Sequence, residues 1–442
     1  MTDTSLASTS PGSPTSPSPA STAPAGGQAP VRDLRLGVIG LGLRAYLAQE
    51  AHHPGEGSAV VAAADTAPGM FERAREWFGD DVHLYSGHRE MLAAEELDAV
   101  FVITPDHTHE ELAVELLEAG VAVFVEKPLA VTTEGCDRVL EAARAGGARL
   151  YVGHNMRHMP VVRTMRELIQ RGEIGEVKAI WCRHFVGHGG DFYFKDWHAD
   201  RRNTTGLLLQ KGAHDLDVIH WLAGAYTERV TALGGLTVYG DIADRSGQAP
   251  GAVMPDWYDP ENNWPPLSNT GLNPVVDVED LSMMVMRLEG GIHASYQQCH
   301  YTPDYWRNYT VIGNEGRLEN FGDHGETAEV RVWKRRGDYR PDADLVVPMP
   351  SPGEGGHGGS DPMLVAEFLR FVRSGGATDT SPVAAREAVA AGVAATESLR
   401  ADGRPVTVTR VAPELADWFA GGQGSGAGQG AEGGQSSGGG QG

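Results

Sequence analysis

Residues 34–45 read LRLGVIGLGLRA, and the interpretation of this stretch decides the fold. Leu34, Leu36, Val38 and Ile39 form a short buried-strand pattern that stops at a glycine turn. Gly40, Gly42 and Ala45 fill a GxGxxG/A spacing, and the run over 44–53 that follows is predicted helical. Strand, turn and helix arrive in the order a dinucleotide needs. Gly40 permits the tight turn, Gly42 lets backbone approach a pyrophosphate, and Ala45 allows close helix–strand packing behind the helix N-terminus. The glycine spacing alone is weak, but a second predicted strand, 58–64, ends at Asp65, 25 residues after Gly40. A carboxylate there can accept hydrogen bonds from a ribose 2′-hydroxyl. The turn therefore assigns Gly40, Gly42, Leu43, Arg44 and Asp65 to cofactor binding.

The 442 residues suffice for two domains with sizeable cores plus tails. Segment 1–32 is rich in Ser, Thr, Pro and Ala, and segment 421–442 in Gly, Gln and Ser, so both are expected to be disordered. The N-terminal segment lacks the basic and apolar regions of a secretory signal, and no apolar run approaches the roughly 18 residues that span a bilayer. A soluble cytoplasmic protein is expected. The net charge of −23, spread through the chain, repels phosphate backbones and anionic lipid and argues against nucleic acid or membrane as a partner. Cys136, Cys182 and Cys299 form no CxxC and read as reduced structural thiols. The 17 histidines contain no HExxH, and His107 with His109 lacks further ligands at metal-site spacing. No metal is expected.

Over 33–155 short apolar runs (34–39, 58–64, 98–103, 121–125, 149–152) alternate with amphipathic stretches (70–78, 107–119, 132–145). This alternation predicts an α/β, doubly wound parallel sheet of the Rossmann type, with its ligand at the carboxyl ends of the strands. After Pro160 the pattern changes. A helix over 161–171 precedes β-branched or aromatic segments at 177–185, 229–239, 281–288, 291–299, 309–312 and 330–333. These predict a C-terminal α/β domain, 156–412, with an open, mainly antiparallel sheet. One helix, 211–222, interrupts the series, and two late helices, 362–373 and 384–400, are amphipathic enough to pack back on the first domain. The Pro-, Gly- and Asn-rich segment 240–274 is long enough to be a functional loop. Its Asp256, Trp257, Tyr258 and Trp264 fit a sugar-stacking lid or an exposed insertion equally well.

Two constellations carry chemistry. The strand 121–125 runs into Glu126, Lys127 and Pro128, which places a lysine at the sheet edge where it can meet a substrate oxygen, although a plain surface lysine fits the spacing too. Thr104 and Pro105 end the preceding strand, and His109 follows in the next helix's first turn. Further on, Gln210, His214, Asp217 and Trp221 recur at helical spacing. An imidazole ordinarily has the pKa range to take a hydroxyl proton near neutral pH, which makes His214 the candidate base, with Asp217 or Gln210 to orient its ring. A satisfied core histidine fits the same pattern.

These residues resemble the Gfo/Idh/MocA family of glucose–fructose oxidoreductase, inositol dehydrogenase and rhizopine catabolism proteins. The resemblance runs over GLGLRA, TPDHTH at 104–109, EKPLA at 126–130, GHNMRHMP at 153–160 and the segment from Trp197 to Trp221. It continues through VIGNEGRLE at 311–319 and DGRPV at 402–406, roughly 33–410 in all. It implies a Rossmann domain, a second domain whose open sheet carries substrate and often an oligomer interface, and NAD(P)-linked chemistry on a sugar, sugar derivative or cyclitol. By position, Lys127 resembles the family's active-site lysine and His214 its catalytic histidine. The family aspartate four residues before that histidine corresponds here to Gln210, a departure that leaves the imidazolium without a carboxylate from this position. Lys211 is a candidate to share proton handling. Arg157 and Trp197 resemble positions flanking nicotinamide and substrate, and Thr104, Pro105, His109, Glu126 and Lys127 complete the cofactor set.

The expectation is an NAD-dependent oxidoreductase that acts on a secondary alcohol, with His214 taking the hydroxyl proton and Lys127 stabilising the alkoxide. NAD is expected over NADP because Asp65 would repel a 2′-phosphate and Thr66 offers no cation. An NAD-dependent glycosidase acting by transient oxidation, or a non-catalytic NAD(P)-binding sensor, are the alternatives. A homo-oligomer, dimer or tetramer, is expected by resemblance.

Overall fold

The computed structural model describes residues 32–249, 252–325, 327–350 and 356–423. The tails expected at 1–32 and 421–442 lie outside these residues, apart from Arg32 and 421–423.

Strands β1 (Leu34–Ile39), β2 (Ser58–Ala64), β3 (His83–Tyr85), β4 (Ala99–Val102), β5 (Ala122–Val125) and β6 (Leu150–Val152) form a six-stranded sheet in the order β3-β2-β1-β4-β5-β6. Every pairing in it is parallel. The central strands β4 and β5 both read AVFV and are wholly buried, as strands covered on two faces must be. Their connections are α1 (Tyr46–Gln49), α2 (Phe71–Phe78), α3 (His88–Ala94), α4 (His109–Glu118) and α5 (Thr133–Gly146). The helix expected over 44–53 is shorter than its pattern: a 3₁₀ turn, Leu43–Ala45, leads into the four residues of α1. Gly55 and Gly57 take positive φ just beyond, and His53 bridges to Ser58, so the chain must turn into β2 early. Strand β3 and helix α3 are too short to have announced themselves by periodicity.

The second sheet has nine strands: β7 (Val177–Phe185), β8 (Thr227–Gly235), β9 (Leu281–Leu288), β10 (His293–Cys299), β11 (Trp306–Gly313), β12 (Arg317–Phe321), β13 (Glu329–Trp333), β14 (Leu345–Pro348) and β15 (Val406–Thr407). Their order is β14-β13-β12-β11-β7-β10-β9-β8-β15, antiparallel throughout except between β7 and β10. Its inner face buries Ile180, Met284, Tyr296 and Tyr309 against α6 (Pro160–Gln170) and α9 (Gly212–Ala223). Alternation leaves the other face open, with Trp181, Val285, Met283 and Leu233 about half exposed. Between β7 and α9 lie two single-turn helices, α7 (Arg201–Thr204) and α8 (Leu207–Gln210).

The chain then returns to the first sheet. In α10 (Gly356–Ser374), Phe368 packs edge-on against Phe101 and Phe124 and tilted against Tyr151, at centroid distances of 5.1, 5.4 and 5.5 Å. The alanine-rich α11 (Pro382–Arg400) contributes Ala391 and Ala395 to the core under the nine-stranded sheet, and Ala385 and Val389 to the core under the first. A last helix, α12 (Pro413–Ala420), buries Leu415 beside α5, and Gln423 brackets Leu150 with one amide, accepting from its N–H at 2.7 Å and donating to its carbonyl at 3.0 Å. The described residues thus include 421–423, of which Gln423 is joined to β6.

Candidate active site

At Gly40 the backbone takes φ +91°, and a Cβ there would stand 2.4 Å from the Ile103 carbonyl oxygen, so only glycine fits between β1 and β4. A Cβ at Gly42 would meet nothing within 4 Å. The turn thus presents bare backbone to open space, a cradle suited to a pyrophosphate. Asp65, at the end of β2, accepts from the N–H of Leu41 and of Ala67, each at 2.8 Å, which fixes its carboxylate beside the turn. Arg73 reaches the same place, donating to the Leu41 carbonyl at 2.9 Å, a cation that local reading of Asp65 and Thr66 did not find. Leu43 is exposed. Arg44 is clamped between Glu126 and Asp361, at 2.7 and 2.9 Å, so the turn is tied both to the end of β5 and to α10.

Next to the turn, Thr104 and Pro105 lead from β4 into α4, with the Thr104 hydroxyl 2.6 Å from that of Thr108. His109 is fully buried, its Nδ1 2.7 Å from the Pro128 carbonyl and its Nε2 2.9 Å from the Thr104 carbonyl. This corrects its expected part in cofactor contact. Both ring nitrogens are taken by backbone, so His109 locks the ends of β4 and β5 together from below. Burial also lowers its pKa, and as a neutral ring it donates to one carbonyl at a time.

Lys127 follows a carboxylate that folds back on its own backbone: Glu126 Oε2 accepts from the Lys127 N–H at 2.7 Å. Its ammonium crosses to the second domain and donates to the Gln210 carbonyl at 3.1 Å. Burial lowers the Lys127 pKa, while Asp106 and Glu126 oppose that shift. The helix expected over 211–222 is α9, and the single turn α8 ends just before it at Gln210, with Lys211 in helical φ/ψ between the two. His214, 7% exposed, therefore stands one turn beyond Gln210, whose carbonyl receives the lysine.

The polar residues of α9 point three ways. Asp215 faces the nine-stranded sheet, where it holds Arg307 at 3.1 Å, His184 at 3.1 Å and the Tyr309 hydroxyl. These partners hold its carboxyl well below the usual range, although burial opposes them. Asp217 instead pairs with both ends of the Arg157 guanidinium, at 2.6 and 2.7 Å. That pair corrects two expectations. Asp217 does not orient His214, and Arg157, which also donates to the Asp379 carbonyl at 2.7 Å, is consumed in holding α9 against the segment before α6. Trp197 lies flat on His198, ring centroids 3.7 Å apart, and Lys211 sits 5.9 Å from the centre of the Tyr193 ring.

Several buried polar groups gather here that the sequence did not mark. Asp106 is 4% exposed, lies beside the Gln210 side chain, and leaves its Oδ2 without a protein partner. Neither ring nitrogen of His300 nor Nδ1 of His198 has one either. Tyr193 links the two histidines, its ring centre 5.3 Å from His198 and 5.0 Å from His300. Burial pushes His198 down to about 3 and His300 well below its ordinary value, so both stay neutral. Orphaned neutral donors and acceptors around a lysine suit a ligand carrying many hydroxyls. Asp106 lay inside the quoted TPDHTH stretch, but Arg307 meets Asp215 of α9, and His300 meets Tyr193, only through the fold of the second sheet. In the loop, Trp257 is buried and its indole N–H donates to the Asp191 carbonyl at 3.0 Å, pinning the loop, whereas Tyr258 and Trp264 remain exposed.

Residues 34–154 match the family described as oxidoreductase family, NAD-binding Rossmann fold, and residues 166–408 match its C-terminal alpha/beta domain. The chain belongs to the Gfo/Idh/MocA oxidoreductase family. Over 350 residues it is 25% identical to the "Putative oxidoreductase YteT" of Bacillus subtilis, covering 70% of this chain and 82% of that one. It is 35% identical over 193 residues to an inositol 2-dehydrogenase of Burkholderia lata, 43% of this chain and 55% of that relative. Among solved structures, levoglucosan dehydrogenase in complex with NADH and L-sorbose superposes with a TM-score of 0.70 at 21% identity, over 86% of this chain and all of that one. Myo-inositol 2-dehydrogenase from Lactobacillus plantarum gives 0.63 at 19% identity, over 86% of this chain and 100% of that chain. At these identities the superpositions show the fold. Within the Gfo/Idh/MocA family, the expected Rossmann sheet and mainly antiparallel second sheet are both present. Among the described residues, no helix is long and apolar enough to cross a membrane, and no group of three His, Cys, Asp or Glu side chains could hold a metal.

Proposed function

We propose that this chain transfers hydride between a secondary alcohol of a sugar, sugar derivative or cyclitol and NAD. The observation that carries this reading is the Lys127 ammonium, which bridges from the end of β5 to the Gln210 carbonyl at 3.1 Å, one helical turn before His214. Gly40, Gly42 and the turn behind them would hold the pyrophosphate, Asp65 the ribose, and Thr104 and Pro105 the edge nearest the nicotinamide. Bound there, the dinucleotide supplies the hydride acceptor. His214 takes the hydroxyl proton, and Lys127 stabilises the alkoxide as it forms. The neutral His198, His300 and Gln210 offer hydrogen bonds to the remaining hydroxyls. Inositol 2-dehydrogenases and levoglucosan dehydrogenase among the relatives support a polyol substrate.

Asp65 supports NAD over NADP, because a 2′-phosphate would meet its charge; Arg73 beside it provides the counter-argument that the test must weigh. The open face of the nine-stranded sheet, with Trp181 of β7 and Val285 of β9 exposed on either side of β10, supports a homo-oligomer. The test is a panel of sugars, inositols and glycosides with NAD and with NADP, followed by absorbance of the reduced nicotinamide. Net reduction with a free polyol is the expected result, and sugar release from a glycoside without it would replace this reading with the glycosidase. Lys127→Ala should lower kcat about a hundredfold while NAD affinity stays within about twofold. Equal loss of both would remove Lys127 from the chemistry.

A further inference from the structure

Gln210 occupies the position where the resemblance leads one to expect an acid, yet the site does not lack a carboxylate. Asp106, in the 3₁₀ turn after β4, reaches the same place from the other domain. It is buried beside the Gln210 side chain and within electrostatic reach of the Lys127 ammonium. Its Oδ2 and the Gln210 Oε1 are both buried without a protein partner. We propose that Asp106 supplies the charge missing at position 210, acting as a positioning residue that keeps Lys127 protonated and aimed at the reacting oxygen. The proposal rests on the reading of Lys127 as the group that stabilises the alkoxide.

The surroundings support it from each side. Glu126 and Lys127 face Asp106 from the end of β5, Gln210 from α8, and Tyr193 from the turn before α7. Burial pushes the Asp106 carboxyl up to about 7, and the nearby lysine opposes that shift. In the other direction, Asp106 is the largest influence that raises the Lys127 pKa against burial. The two groups thus set each other's charge, while Gln210, beside Asp106, holds Lys127 through its carbonyl. Glu126 is the weaker candidate for this role because its oxygens are taken by Arg44 and by the Lys127 N–H. Asp106 itself gains no bond during oxidation. The hydroxyl proton still passes to His214.

The test reads Lys127 directly, with no substrate present. Acetylation of Lys127 by acetic anhydride, followed by mass spectrometry across pH, reports the fraction of free amine in the full chain. Asp106→Asn, which keeps the shape, should lower the midpoint by about one pH unit, a tenfold rise in labelling below the midpoint. Gln210→Asp alone should raise the midpoint, and the double variant D106N/Q210D should return it toward that of the unsubstituted chain. With a polyol found by the panel above, kcat of D106N should fall about tenfold with KM within twofold, and the double variant should recover it. An unchanged labelling profile in D106N together with an unchanged profile in Q210D overturns the proposal. If the profiles shift as stated but no polyol is oxidised by the unsubstituted chain, the positioning role stands and the dehydrogenase reading fails.

Discussion

Asp106 has a consequence for stability as well as for chemistry. Its carboxyl is raised by burial from 3.8 to about 7, so the folded chain binds a proton there that the unfolded chain has released. The sign follows. Its contribution is fully present below the unfolded pKa near 4 and is lost as pH rises through about 7. Asn at this position stays neutral at every pH. Thermal denaturation should therefore find D106N close to the unsubstituted chain at pH 4.5 but more stable at pH 8, by about 2 °C. A difference that did not change with pH would show that the carboxyl is not raised. His109 shows a different use of burial: a ring with both nitrogens on backbone carbonyls holds two strand ends rather than touching a ligand.

Among elements, the glycine turn separates fold from binding within three residues. Gly40→Ala forces a Cβ against the Ile103 carbonyl at 2.4 Å and an unfavourable φ, so it should destabilise the chain by about 2 kcal/mol or more. Gly42→Ala meets nothing within 4 Å, so its melting temperature should stay within about 1 °C while NAD affinity falls about tenfold. Calorimetry and cofactor titration distinguish the two. This turn was legible because strand, glycines and acid lie within one crossover, and Lys127 was legible because it ends a strand with its own signature. The partners of α9 were not. Helical spacing places Asp217 on a face with His214, but only the fold reveals that Arg157 takes it and that Arg307, 92 residues beyond Asp215, takes the neighbouring acid. Likewise, the early end of α1 comes from turn glycines, which periodicity does not report.

Across the whole molecule, the first sheet is not completed by the segment that forms it. Phe101, Phe124 and Tyr151 meet Phe368 and Phe371 of α10, and Val389 of α11 enters the core on the other side. A fragment of residues 32–155 would leave these rings in water, a patch large enough to drive association. Expressed alone it should aggregate or lack a cooperative thermal transition, whereas 32–423 should melt in one. A monomeric, cooperatively folded fragment would show that the late helices are dispensable. The same return of the chain explains why Arg44 finds Asp361 from α10 beside the glycine turn, so cofactor grip and the last third of the chain are mechanically joined.

One amide at the far end of the sheet has a wider effect. Among the described residues no strand lies beyond β6, and an unpaired ladder there would invite a stranger's backbone to add itself. Gln423 answers both hydrogen-bonding groups of Leu150 with a single side chain, a rung without a rail. It caps that border against a foreign strand while the carboxyl ends of the strands, where hydride chemistry is proposed, are left to ligands.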